Sequence, residues 1–127
     1  MKRISKFICT TILFVSLGIV VSAAKPFKKY KASYYADKFN GRKTSTGHIF
    51  HNNKISVATS EPKFYRKYLT LRSLTNGKIY KVFCNDKMNP RMKGSVQFDL
   101  SKKLMKIFSG KDEKIPGHIY VEVLGIS

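Results

Sequence analysis

The chain is short of acid. Asp and Glu together number 7 among 127 residues, against 25 Lys and Arg, so the formal charge is 25 − 7 = +18. A catalytic carboxylate must come from those seven. Tryptophan is absent, which removes one side chain that commonly stacks on sugar rings. Two cysteines are too few for a disulfide scaffold. There is no internal repeat and no low-complexity tract. The length allows one domain, and an apolar content of 43% argues against wholesale disorder. What the chain has in abundance is positive charge. That excess points to a polyanionic or surface-bound partner and says little about fold.

The first two dozen residues read as a targeting segment. Lys2, Arg3 and Lys6 precede an apolar run over residues 7–21, and Val21-Ser22-Ala23 supplies small residues for cleavage. This order is that of a secretory signal peptide, and the run is short for a membrane span of about 20 residues. An uncleaved anchor is the alternative. Cys9 lies inside the run rather than just after it, so no lipoprotein signal is visible. The expected organisation is a signal peptide at 1–23 and one domain at 24–127. Removing the signal takes away three charges, leaving 22 − 7 = +15 on 104 residues. Cys84 is then alone, and it reads as a buried small hydrophobe rather than a nucleophile.

Past the signal the pattern is of short strands and one helix. Residues 25–31 are a basic lead-in. Residues 32–36 suit a strand, whose alternation turns one of Tyr34 and Tyr35 inward and the other outward. Residues 37–47 read as a loop, and 55–60 as a second strand. Residues 68–74 alternate, Asn76-Gly77 follows as a hairpin signal, and 79–84 form the return strand. A loop over 85–94 leads to a strand at 96–100. The period then changes. Leu104, Ile107 and Phe108 fall at i, i+3 and i+4, with Ser101 as N-cap and Gly110 as the stop, which predicts a helix of about nine residues. Asp99 is read as part of that capping. A last strand is expected over 118–126. Many short strands with one helix indicate a small β-barrel.

Ala32-Ser33-Tyr34-Tyr35-Ala36, followed by Phe39-Asn40-Gly41-Arg42-Lys43-Thr44-Ser45-Thr46-Gly47, resembles the opening of the rare lipoprotein A (RlpA) family. The strand at 68–74, Asn76-Gly77, Asn85-Asp86 and Asp99-Leu100-Ser101 continue the match in order, over residues 31–124. The resemblance implies a mainly β fold, a six-stranded double-psi β-barrel with one or two short helices, related to expansin and barwin-like domains. It also implies a groove across one face and action on cell-wall polysaccharide, with lytic transglycosylation of peptidoglycan strands lacking stem peptides as the best-known activity.

Carried over by residue, Thr44 matches the family's groove threonine. Asp86 matches the aspartate of its Asn-Asp-Arg-Gly-Pro-like segment, here Asn85-Asp86-Lys87-Met88-Asn89-Pro90. His48 stands where the family has Glu, and Ser60 where it has His. The expected catalytic residues are Asp86 and His48. The expected substrate-binding residues are Thr44, Tyr35 and Ser60. No metal site and no cofactor are expected.

Lytic cleavage needs a proton donor for the glycosidic oxygen and a base for the muramic 6-hydroxyl. No water is added, so one carboxyl can donate first and accept later, unlike the hydrolytic pair. An imidazole at His48 can act as acid or base near neutral pH.

The reading is an exported wall protein, acting on or binding peptidoglycan glycan strands. It is either an RlpA-like lytic transglycosylase or a degenerate relative. The alternative is an expansin-like, non-catalytic wall-polysaccharide binder. Nucleic-acid binding through the basic surface is set aside on the export signal and the resemblance. The expected partners are wall polysaccharide and the anionic cell envelope, the expected state is a monomer, and the expected location is secreted, periplasmic or envelope-associated.

Overall fold

A computed structural model describes residues 28–127. The expected signal peptide at 1–23 lies outside the described residues. Among the described residues six strands and one α-helix follow in order. They are β1 (Tyr30–Tyr34), β2 (Val57–Thr59), β3 (Tyr68–Ser73), β4 (Ile79–Lys87), β5 (Phe98–Leu100), α1 (Lys102–Ser109) and β6 (Ile119–Ile126). The strands close a barrel in the order β1-β5-β2-β4-β3-β6. Closure leaves no unpaired sheet edge. Two pairs are parallel, β1 with β5 and β2 with β4. The rest are antiparallel. The family's six-stranded barrel is thus observed, with one α-helix and single 3-10 turns at Asp37–Phe39, Pro62–Phe64 and Pro90–Gly94.

Alternation along each strand fills the interior. Val57, Leu69, Leu71, Cys84, Phe98, Leu100 and Val121 are fully buried. Phe64 stacks on Phe98 at 5.3 Å between ring centroids, with Tyr30 edge-on to both. Helix α1 closes one end through Leu104, Met105 and Phe108. It begins where Ser101 Oγ accepts from the Leu104 N–H and stops at Gly110, whose φ of +73° favours glycine. The hairpin turn is tied to this helix, because Asn76 Nδ2 donates to the Ile107 carbonyl at 2.9 Å. Among the described residues no helix is long and apolar enough to cross a membrane.

Most strand boundaries differ from the sequence reading, the strand expected at 96–100 being confined to Phe98–Leu100, and three of the differences are matters of pairing. Strand β1 starts at Tyr30 because Tyr30 pairs with Val121 and is buried in the core. Strand β2 is shorter than 55–60, confined to the three residues with partners on both sides. Strand β4 runs on to Lys87, because β2 takes Asp86 and Lys87 into register with Ala58 and Thr59. Asp86 therefore sits on a strand and not in the predicted 85–94 loop.

Candidate functional site

The register places four residues in one row across four adjacent strands. Asp86 on β4 is level with Ala58 on β2, Ala58 is level with Asp99 on β5, and Asp99 is level with Ser33 on β1. Their sequence neighbours Phe98, Leu100 and Val57 face the barrel core, so this row faces outward. Neighbouring strands lie about 4.8 Å apart, which puts the two aspartates roughly 10 Å apart at the backbone with only an alanine between them. A second small cluster of Tyr35, Phe50 and Ala58, flanked by Phe39 and Met88, packs over the alanine. It pins the 37–50 segment against the row.

Asp86 is held by three donors. Its Oδ2 accepts from the Tyr35 hydroxyl at 2.6 Å. Its Oδ1 accepts from the backbone N–H groups of Ser45 at 3.0 Å and Lys87 at 2.9 Å. Such a set suits an ionised, acceptor-only carboxylate. Tyr35 lies on the outer side of the barrel, buried beneath the 37–50 segment; its ring is stacked on Phe50 with 4.1 Å between centroids, and only its hydroxyl reaches Asp86. Burial, then the bond to Asp86, then the charges of Asp86 and Asp99 all push its phenol far above the ordinary value. It remains a donor throughout the physiological range. Tyr34 packs half-buried against the main core.

Asp99 is not a helix cap. Ser101 performs that task, and Asp99 Oδ1 accepts from the Ser33 hydroxyl across the parallel pair. Burial raises its carboxyl above the usual range; the Ser33 bond opposes this and the Asp86 charge adds to it. The row therefore carries two carboxyls in contrasting settings. One is desolvated and inclined to keep a proton, and the other accepts three hydrogen bonds.

The turn over 44–48 docks on the same strand end. Gly47 has a φ of +91°, and the Thr44 N–H donates to the His48 carbonyl at 2.7 Å. The Thr46 hydroxyl donates to the Asn85 carbonyl at 2.7 Å. Its oxygen also meets His48 Nδ1 at 2.6 Å and the hydroxyl of buried Thr44 at 3.0 Å. A hydroxyl has one proton to give. With that proton on Asn85, His48 Nδ1 is the donor, and the rest of the ring is exposed. His48, Thr44 and Asp86 are thus gathered by one turn, with Ser45 and Thr46 between them.

Ser60 is buried, and its hydroxyl donates to the Val96 carbonyl at 2.8 Å. It forms part of a cavity of about 280 Å³ with Thr59, Pro62, Tyr65, Lys87, Met88 and Pro90. Tyr65 joins this cavity to the row, since its hydroxyl meets Ser45 Oγ at 2.9 Å. The Ser45 bond, followed by the charges of Arg66 and Lys87, holds the Tyr65 phenol below its ordinary range. Sequence reasoning missed Asp99, Tyr65 and Ser45 as members of the site. Cys84 is buried and its thiol is pushed up to about 12, chiefly by burial. Among the described residues no group of three or more His, Cys, Asp or Glu is placed to hold a metal ion.

No protein-family profile matches the chain. A curated relative does. Over 93 residues the chain is 32% identical to the endolytic peptidoglycan transglycosylase RlpA of Pasteurella multocida (strain Pm70). The closed six-stranded barrel agrees with it. The chain is an RlpA-like double-psi β-barrel. The match takes in 73% of this RlpA-like chain and 30% of the relative, so the chain spans about a third of that protein's length.

Proposed function

We propose that this RlpA-like barrel acts on peptidoglycan glycan strands at the row that carries Asp86 and Asp99. The observation that carries the reading is the pair of carboxyls flanking Ala58 in contrasting environments. Groups whose surroundings differ in this way suit an acid and a base. In the proposed step Asp99 gives its proton to the glycosidic oxygen as the C1–O bond breaks. The 6-hydroxyl oxygen of the same muramic acid bonds to C1, and its proton passes to Asp86. The products are a shortened strand and a 1,6-anhydro end, and no water is consumed. Exchange with solvent returns a proton to Asp99 and removes one from Asp86. His48 Nε2 accepts a hydrogen bond from a sugar hydroxyl, and Thr44 keeps the 44–48 turn in place.

The protein works outside the cytoplasm, delivered by residues 1–23 as a signal peptide. Its +15 surface holds it to the anionic envelope as a monomer. A second reading is favoured by Ser60. It stands where the family has histidine, and its hydroxyl proton is committed to Val96. A barrel without that imidazole suits an expansin-like binder of wall glycan that does not cut.

Co-sedimentation of the purified protein with insoluble stem-peptide-free peptidoglycan tests the shared part of both readings. Retention by the glycan that survives physiological salt is expected. Loss of the protein to the supernatant at 0.15 M salt, where surface charge alone is largely screened beyond ~8 Å, would sink both.

A further inference from the structure

The cavity behind Asp86 has a chemistry of its own. Every hydroxyl in its walls has a partner inside the fold. Thr59 Oγ1 accepts from the Glu61 N–H and donates within 3.4 Å to the Glu61 or Gln97 carbonyl. Ser60 Oγ donates to Val96, and Tyr65 Oη meets Ser45. The Met88 N–H is taken by the Thr59 carbonyl at 2.8 Å. What remains facing the space is apolar, namely the rings of Pro62, Pro90 and Tyr65 and the thioether of Met88. One cation stands in the lining, Lys87, whose ammonium lies 5.1 Å from the Tyr65 ring centroid.

The walls of the cavity are also linked to the carboxylate. Asp86, Lys87 and Met88 are consecutive, and Tyr65 connects through Ser45 to Asp86 Oδ1. A group bound there belongs to a sugar whose neighbour lies at the row. An apolar cavity beside one ammonium donor excludes a bare hydroxyl and suits a small methyl group next to a carbonyl oxygen.

We infer that this cavity receives the N-acetyl group of an amino sugar. The acetyl methyl lies between Pro62, Pro90, Met88 and the Tyr65 ring, and Lys87 donates to the acetamido oxygen. The inference rests on the glycan reading above and names the substituent that the site selects. Unsubstituted glucan and de-N-acetylated strands lack the group, and the chain then discriminates against them.

The test compares two ligands by titration calorimetry with the full purified protein. One is natural stem-peptide-free glycan. The other is the same glycan, de-N-acetylated and then N-formylated, which deletes the methyl but keeps the neutral amide. One buried methyl contributes about 0.8 kcal/mol, so the formyl strands are expected to bind about four-fold more weakly. Met88→Gln, which keeps the length of the side chain but puts an amide in the cavity, is expected to erase that preference. Tyr65→Ala, which opens one wall, is expected to do the same. Equal binding of the two strands by the unaltered protein overturns the inference and leaves the glycan reading standing. Discrimination that persists in both variants also overturns it. Failure of both strands to bind overturns the glycan reading, and this inference with it.

Discussion

The Tyr35 hydroxyl offers a direct measure of how firmly the row is held. Tyr35→Phe keeps the ring stacked on Phe50 at 4.1 Å and removes only the 2.6 Å bond to Asp86. A hydrogen bond to a charged group contributes about 1.5–3 kcal/mol. Asp86 is half-buried and keeps its two backbone donors. Water can replace the lost hydroxyl, so the lower end applies, about 1.5 kcal/mol. In a domain of about 100 residues each kcal/mol moves the midpoint by roughly 5 °C, so Tm should fall by about 7 °C at pH 7. The assay is thermal unfolding followed by circular dichroism, with Asp86→Asn as the second arm of a double-mutant cycle. In that background the bond is between neutral groups, and the loss should shrink to about 1 kcal/mol or less. A midpoint within about 2 °C of the parent, or the same drop in both backgrounds, would refute the claim that this hydroxyl holds an ionised Asp86.

Three further outcomes are expected. Asp99 has its carboxyl raised from 3.8, mainly by burial. Its contribution to stability is full below pH 3.8 and is lost as pH rises through the raised value. Asp99→Asn, which cannot ionise, should therefore match the parent near pH 3 and exceed it in Tm at pH 7, while losing glycan cleavage; a lower Tm at pH 7 would contradict the assigned cause. Ser101→Ala removes the cap bonded to Leu104 and should cost about 1 kcal/mol, or about 5 °C, in the same assay. His48→Gln alters an exposed side chain and should change stability by less than about 0.5 kcal/mol, with any effect appearing in glycan turnover.

The parts of this barrel that were legible in the sequence are those fixed locally. Ser101, the 104/107/108 spacing and Gly110 define α1 within ten positions, and Asn76-Gly77 defines the hairpin. The site was legible only where a resemblance supplied it. The extension of β4 through Asn85-Asp86-Lys87 runs against the local polarity of those residues. It exists because Val57–Thr59 pairs with it in parallel from nearly thirty positions away. Asp99 shows the same limit. Asp-Leu-Ser before a helix reads as capping, and only its pairing with Ser33, 66 positions distant, reveals another role. Tyr65 lies in a turn whose next residue, Arg66, has a φ of +63°. No local pattern ties it to Ser45, twenty positions earlier.

The cleavage of glycan strands proposed for the Asp86–Asp99 row adds no water. Its most direct test is mass spectrometry of stem-peptide-free peptidoglycan strands incubated with the protein. Fragments ending in 1,6-anhydro-muramic acid are expected, absent with Asp86→Asn and with Asp99→Asn. Intact strands after prolonged incubation, or fragments with reducing ends that carry an added water, would contradict it.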